Sequence, residues 1–147
     1  MDATITLRKI TKENWETCIE LQVGEAQKAL VASNLYSLAE IQFLENHEAV
    51  GIYRDETMVG FAMFGVAPED GHYWIYRLMI DERYQRKGYG RAALLQIIER
   101  FERERRSDEI LIGYAPDNAV ADRLYASVGF GRAEIASWGE KVVHLSI

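Results

Sequence analysis

The sequence predicts an α/β domain with a mixed sheet, whose elements follow the order β α α β β β α β α β β. The first sign is the succession of strand-like runs and of segments with a helical period along the chain. The second is EILIGYA at positions 109 to 115, which is apolar almost throughout, as in a central strand. The third is the length of 147 residues with 48% apolar content, which suits one core and a single domain spanning residues 1 to 147.

The first half of the chain predicts one strand, two helices and two hairpins. Alternation in TITLRKI predicts the first strand, and Thr11 is a candidate N-cap for a helix over roughly residues 12 to 23. Ser37 is the candidate N-cap of the second helix, SLAEIQFLE. Three strands follow, joined by turns at Asp55 and Glu56 and at PEDG: AVGIYR, MVGFAMFGV and HYWIYRLMI.

The second half predicts two helices, the apolar strand between them and a closing hairpin. One helix starts at Gly88 and ends in the solvated run ERFERERR, and the other is NAVADRLYASVGF, ended by Gly129. The inward positions are Leu94, Ile97, Ile98 and Phe101 in the first helix, and Ala121, Leu124 and Val128 in the second. AEIAS and KVVHLSI form the hairpin around the turn WGE.

Composition excludes several classes of protein. Seventeen basic and 23 acidic residues give 17 − 23 = −6, which argues against a nucleic-acid partner. No apolar run is long enough to span a membrane and MDATITLRKI does not resemble a secretory signal, so we expect a cytoplasmic protein. Cys18 has no second cysteine to pair with and is expected in the core. The three histidines have no metal-ligand spacing, so no metal is expected.

Residues 1 to 48 concentrate negative charge, with eight acids against four bases. Such a surface attracts cations, although a solvated helix face accounts for most of these acids taken singly. The acids are Asp2, Glu13, Glu16, Glu20, Glu25, Glu40, Glu45 and Glu48.

The stretch QRKGYGRAAL places a glycine-rich, basic turn at the start of a helix. It matches G-x-G-x-x-G/A formally, but seven residues separate its first glycine from the strand. The position near the end of the next strand, where that motif needs an acid, is Gly113, so a dinucleotide fold is not supported. A Walker motif fails for want of its Lys-Ser/Thr pair. Two readings stay open: an anion-binding turn, in which backbone N–H groups and the helix dipole hold a pyrophosphate, or an ordinary glycine turn beside surface bases.

LMIDERYQRKGYGRAAL, with its Q-x-x-G-x-G core, resembles the acetyl-CoA-binding segment of the GCN5-related N-acetyltransferases. NAVADRLYASVGF resembles the second signature of that family, N-x-x-A-x-x-L-Y-x-x-x-G-F. Within the family, four stretches are most similar to the bacterial spermine/spermidine acetyltransferases: LQVGEAQKALVASNLYSLAE, VGFAMFGV, RLMIDERYQ and the terminal GEKVVHL.

The resemblance implies roles for particular residues. A strand that splays from its neighbour would pair with the pantetheine arm, the loop and helix start would hold the pyrophosphate, and Asn118 would contact the cofactor. Tyr125 would protonate the departing sulfur, and the N–H of Met79 would stabilise the oxyanion. The implied cofactor-binding residues are Leu78, Met79, Ile80, Gln85, Arg86, Lys87, Gly88, Tyr89, Gly90, Arg91, Asn118 and Tyr125.

The acceptor amine must lose a proton, because a primary ammonium has a pKa of roughly 10. Many relatives carry a carboxylate on the strand before the loop, but HYWIYRLMI has none and turns Trp74 and Tyr76 towards the substrate. Tyr76 acting through a water, or Glu25 or Glu40 from the helical part, are candidates for the base and for substrate binding. The missing acid also leaves open a sensor that binds acetyl-CoA without catalysis.

The sequence therefore predicts a cytoplasmic N-acetyltransferase that uses acetyl-CoA, needs no metal and favours a polyamine acceptor. Another small amine or a protein amine remains an alternative acceptor. No nucleic acid or membrane partner is expected, and the resemblance implies that a homodimer can form.

Overall fold

The computed structural model describes residues 4–25, 28 and 32–147. Seven strands form one sheet in the order β1-β2-β3-β4-β5-β7-β6, in which β4 and β5 run parallel and every other neighbouring pair is antiparallel. The strands are β1 (Ile5–Lys9), β2 (His47–Arg54), β3 (Thr57–Val66), β4 (Tyr73–Ile80), β5 (Glu109–Tyr114), β6 (Gly131–Ile135) and β7 (Lys141–Ser146). The predicted order of elements and the mixed sheet are confirmed.

Helices cover both faces of the sheet. The helices are α1 (Trp15–Glu20), α2 (Asn34–Glu40), α3 (Tyr89–Glu104) and α4 (Ala119–Ser127). On one face α3 buries the four predicted apolar positions, with Phe101 stacked on Tyr73 at 3.9 Å between ring centroids. Side chains of α4 join the same core, and a second core on the opposite face contains Cys18 of α1, which is fully buried as predicted.

The first two helices begin at different residues from those predicted. The Thr11 N–H donates to the Asn14 side-chain oxygen and the Asn14 N–H donates to the Thr11 carbonyl, so α1 starts one turn later with Asn14 at its N-cap. It ends at Glu20 because Leu21 is extended. Ser33 caps α2 by accepting a bond from the Tyr36 N–H.

Ser37, the predicted cap of the second helix, lies inside α2, where its buried hydroxyl donates to the Ser33 carbonyl. Both serines satisfy the local capping preference, and packing decides between them. Within the part of the chain that the structure describes, no helix is long and apolar enough to cross a membrane.

Candidate active site

A bulge in β4 opens the centre of the sheet. Arg77 pairs with Met63 of β3 and Ile75 pairs with Phe64, so Tyr76 lies between two register pairs without one of its own. Bulges bend a strand and re-aim its side chains. Beyond Ile75 the parallel pairing of β4 with β5 also ends. The two central strands therefore diverge over the last part of β4.

The bulge changes which residues share a face of β4. Ile75 packs in the core beneath α3, and a strict period of two would send Leu78 to the opposite face. Leu78 instead packs against the α3 core, whereas Tyr76 and Met79 belong to the core on the side of α1 and α2. The strand thus presents different sets of side chains before and after the bulge.

The register also decides which backbone groups face the opening. N–H groups of successive residues in an antiparallel strand point to alternate sides. The Asp81 N–H donates to the Val59 carbonyl, so the Met79 N–H is directed to β3 and those of Leu78 and Ile80 are directed to the side that β5 leaves. In agreement, the Ile80 carbonyl accepts a bond from Gln85 on that side. Leu78, rather than the predicted Met79, therefore offers an N–H to a ligand in the opening.

A cavity of about 450 Å³, the loop-side cavity, lies between this part of β4, the glycine loop and α4. It collects all the predicted cofactor residues except Lys87, which is exposed on the loop. Its lining consists of Val23, Leu78, Met79, Ile80, Tyr84, Gln85, Arg86, Gly88, Tyr89, Gly90, Arg91, Asn118, Val120, Ala121, Arg123, Leu124 and Tyr125.

The start of α3 suits an anion in this cavity. Gly88 is the N-cap residue in the left-handed region (φ 81°), and it has no side chain to satisfy the first N–H groups of the helix. A Cβ at Gly88 would meet nothing within 4 Å, so the approach to those groups is open. The helix dipole, Arg86 and Arg91 add positive charge, and the first turn contains no acid.

A buried carboxylate fixes the loop in place. Asp81, only 2% exposed, accepts bonds from the N–H of Gln22 and from the N–H and Nε of Arg83. Burial alone would raise the pKa of Asp81, but these hydrogen bonds hold it below its ordinary value. The contact joins the segment after α1 to the beginning of the glycine loop.

A second cavity of about 320 Å³, the hairpin-side cavity, continues from the first towards the turn between β6 and β7. It is lined by Ala32, Asn34, Tyr76, Arg77, Leu78, Met79, Ile112, Gly113, Tyr114, Asn118, Ala121, Tyr125 and Glu140. The two cavities share Leu78, Met79, Asn118, Ala121 and Tyr125, which mark their junction.

Tyr125 lies at this junction and is the one buried residue of α4. Its ring packs against Tyr114 at 5.2 Å and Phe130 at 5.9 Å between centroids, and 6% of the residue is exposed. Burial, reinforced by Tyr114, raises the pKa of its hydroxyl, which is therefore protonated at neutral pH. The predicted inward positions Ala121, Leu124 and Val128 are only half-buried, because α4 turns Tyr125 most directly towards the sheet.

Asn118 caps α4 by accepting a hydrogen bond from the Ala121 N–H. Its side chain thus supports the helix start while it lines both cavities.

Two tryptophans outside the described lining of the hairpin-side cavity contact residues that line it, Trp74 contacting Tyr76 and Trp138 contacting Glu140. Trp74 donates its indole N–H to Asp70, and Trp138 donates its own to Glu140. The two indoles lie 6.4 Å apart, and Trp74 is also 6.4 Å from Tyr76. Burial raises the pKa of Tyr76 to about 12, and the charges of Glu69, Asp70 and Glu40 add to the effect. Tyr76 therefore holds its proton in a region of negative potential.

The two glutamates proposed from the sequence lie outside the described lining of both cavities. Glu40 pairs with Arg77 at 3.1 Å, and exposed Glu25 pairs with Lys28 at 2.8 Å. Of the described residues between positions 1 and 48, only Ala32 and Asn34 line the hairpin-side cavity, and neither is an acid. Asp2 lies outside the described residues.

Glu140 is the acid that sequence reasoning missed. It contributes the one carboxylate among the described residues lining the hairpin-side cavity. Glu140 lies in the predicted turn WGE and in GEKVVHL, which contributes to the family resemblance, but no local spacing indicates that this turn reaches the cavity. Across the described ranges, no group of three His, Cys, Asp or Glu side chains could hold a metal ion.

Comparison with known sequences gives a family match over most of the chain. The model of the Acetyltransferase (GNAT) family matches residues 9–130. The spermine/spermidine N(1)-acetyltransferase of Bacillus subtilis (strain 168) is 31% identical over 147 positions, covering 95% of this chain and 97% of that protein. A probable spermine N(1)-acetyltransferase of Bacillus subtilis subsp. natto (strain BEST195) is 30% identical with the same coverage.

Solved structures share the fold. The PaiA N-acetyltransferase of Thermoplasma acidophilum, in complex with coenzyme A, has a TM-score of 0.77 at 20% identity, covering 98% of this chain and 99% of that chain. The aminoglycoside acetyltransferase AAC(6')-Ib, also in complex with coenzyme A, has a TM-score of 0.80 at 18% identity, covering 97% of this chain and 95% of that chain.

Proposed function

Because the chain belongs to the acetyltransferase (GNAT) family and is an acetyl-CoA-dependent N-acetyltransferase, we propose that its acceptor is a polyamine of the spermidine and spermine class. The observation that carries the proposal is the pair of indoles, Trp74 and Trp138, which donate to the carboxylates of Asp70 and Glu140. Trp74 lies next to Tyr76, and both Tyr76 and Glu140 line the hairpin-side cavity. The names of the two Bacillus relatives support the same acceptor class.

The described residues fit acetyl-CoA, which supplies the acetyl group as a thioester. The start of α3, with Arg86 and Arg91, suits the pyrophosphate, because open backbone N–H groups and positive charge converge there. The edge of β4 that β5 leaves suits the amide groups of the pantetheine arm, since the N–H groups of Leu78 and Ile80 face it. The loop-side cavity is then the donor site and the hairpin-side cavity the acceptor site.

Two groups at the junction would assist the transfer. The Leu78 N–H would stabilise the negative charge that develops on the carbonyl oxygen. The protonated Tyr125 hydroxyl would give its proton to the departing sulfur. Holding the amine in line with the carbonyl would supply roughly 7 to 11 kcal/mol more of the barrier reduction.

A polyamine suits the acceptor side through charge and aromatic surface. The carboxylates of Glu69, Asp70 and Glu40 produce a negative potential at Tyr76. Arg77 opposes it, but its guanidinium is paired with Glu40. Aromatic faces attract ammonium groups, so Trp74 and Trp138 suit the distal amines of a long cation.

An acceptor panel tests the proposal by measuring thiol release with spermidine, n-butylamine and a peptide with a free amino terminus. Spermidine should show the lowest KM, and added salt should reduce its advantage over n-butylamine, because exposed charges are screened. The variant Asp70→Asn should raise the KM for spermidine more than that for n-butylamine. Glu102→Gln, on the exposed face of α3, is the charge-matched control and should change neither. Turnover of the peptide alone would refute the polyamine acceptor.

A further inference from the structure

The acceptor site needs a group that removes a proton from the incoming ammonium, and β4 carries no acid for this purpose. The pKa of Tyr76 is raised to about 12, so its hydroxyl stays protonated at neutral pH. Without a phenolate, Tyr76 cannot serve as the base. Glu40 is engaged by Arg77, and Glu25 lies outside the described lining of the cavity.

We infer that Glu140, in the turn between β6 and β7, is the catalytic base that takes the proton from the acceptor ammonium. Its carboxylate lines the hairpin-side cavity together with Tyr125, the residue at the junction of the two cavities. The inference holds for any charged primary amine and does not depend on the polyamine preference.

The surroundings of Glu140 leave its charge available to a substrate. Its Oε1 accepts a hydrogen bond of 2.7 Å from the Trp138 indole, a neutral donor that orients the carboxylate without neutralising it. Two other carboxylates of this region are paired with cations, Glu40 with Arg77 and Asp122 with Lys141. Asp70, which accepts the Trp74 indole N–H, lies outside the described lining of the cavity. Among the described residues, Glu140 takes part in no ion pair.

The absence of a side chain at Gly113 makes room for this carboxylate. An added Cβ at Gly113 would lie 2.9 Å from Glu140 Oε1, closer than a carbon and an oxygen can approach. Gly113 lies near the end of β5, beside the opening that follows the last register pair with β4. The glycine therefore allows the Glu140 carboxylate to pack against the end of β5, where both residues line the hairpin-side cavity.

The balance of protons gives Glu140 and Tyr125 separate roles, one as the base for the amine and one as the acid for the sulfur. The ammonium nitrogen loses two protons as its bond to the acetyl carbon forms and the carbon–sulfur bond breaks. One proton passes to Glu140 and then to solvent. The other replaces the proton that Tyr125 gives to the sulfur, so the products are the N-acetyl amine, the coenzyme A thiol and one released proton.

The test compares Glu140→Gln with wild type between about pH 7 and pH 10, with spermidine and n-butylamine as separate acceptors. The variant should lose roughly 10²- to 10⁴-fold in kcat/KM at about pH 7. The loss should shrink towards pH 10, because the amine then deprotonates without help. Calorimetry should show unchanged binding of coenzyme A, and Glu102→Gln should behave as wild type.

Two further variants move the carboxylate without removing it. Gly113→Ala pushes it outwards, and Trp138→Phe removes its hydrogen-bond donor but keeps an aromatic ring. Each of these two variants should reduce kcat/KM less than Glu140→Gln does. Because the carboxylate is retained, kcat/KM should still fall on the acidic side of the pH profile.

Three results would overturn the inference: full activity of Glu140→Gln at about pH 7, a loss that is the same at every pH, or a rise in KM with kcat unchanged. Equal kinetics for spermidine and n-butylamine in the wild-type protein would refute the polyamine preference and leave the role of Glu140 intact.

Discussion

Substitutions at Gly88 and Gly90, the two glycines at the start of α3, should have different effects on stability but should both weaken coenzyme A binding. Gly88 has φ 81°, and a Cβ there would meet no atom within 4 Å, so Gly88→Ala carries only the cost of a left-handed backbone, about 1–2 kcal/mol of unfolding free energy. Gly90 is helical, and its added Cβ would lie 3.5 Å from Ile80 and 3.9 Å from Leu124, which are ordinary contacts. Gly90→Ala should therefore be neutral or stabilise by up to about 1 kcal/mol.

Both changes should weaken coenzyme A binding, because each places a methyl group where the pyrophosphate approaches the helix N–H groups. Loss of one charge-assisted hydrogen bond, about 1.5–3 kcal/mol, corresponds to roughly 10- to 150-fold in Kd. Gly90→Val, which fills more of the cavity, should weaken binding further. Calorimetry measures the affinity, and urea unfolding without ligand measures stability.

Gly71→Ala is the matched control for Gly88→Ala. It lies in the turn before β4, with φ 73° and no atom within 4 Å of an added Cβ, so it should lose similar stability and bind coenzyme A normally. If Gly90→Val bound coenzyme A with the wild-type Kd, the anion would not lie at the start of α3, and the assignment of the donor site would fail.

Two further predictions concern buried groups. Tyr125→Phe keeps the ring contacts with Tyr114 and Phe130, so the melting temperature should change little while kcat falls roughly 10²- to 10⁴-fold; near-wild-type kcat under chemistry-limited conditions would assign Tyr125 to packing. Asp81→Asn should lower the unfolding free energy at neutral pH by about 1.5–3 kcal/mol, because one of its donors loses an acceptor. The pKa of Asp81 is lowered on folding, so its contribution is present above the unfolded value of about 3.9 and is lost as pH falls through the folded value. Urea unfolding from pH 7 to pH 3 should show a shallower acid loss in the variant, and parallel curves would contradict this role.

Local patterns determined the order of elements and the position of the glycine turn. The apolar face of α3, the central strand β5 and the start of α3 after Gly88 depend on periodicity and on the conformation of single residues, which neighbouring sequence specifies. The helix starts at Asn14 and Ser33 were not identified, since Thr11 and Ser37 satisfy the same local preference.

Only the tertiary structure decided which residues surround the hairpin-side cavity. The bulge at Tyr76 is a property of the pairing between β4 and β3. A period of two applied to the sequence of β4 alone therefore assigns Leu78 to the wrong face of the sheet. It also does not show that the Met79 N–H points to β3 and away from the opening. Glu140 reaches the cavity because β7 pairs with β5 and Gly113 leaves room for its carboxylate, although 26 residues separate the two positions in the chain (140 − 113 − 1). Contacts between such distant segments follow from strand pairing and packing, which a local sequence pattern does not encode.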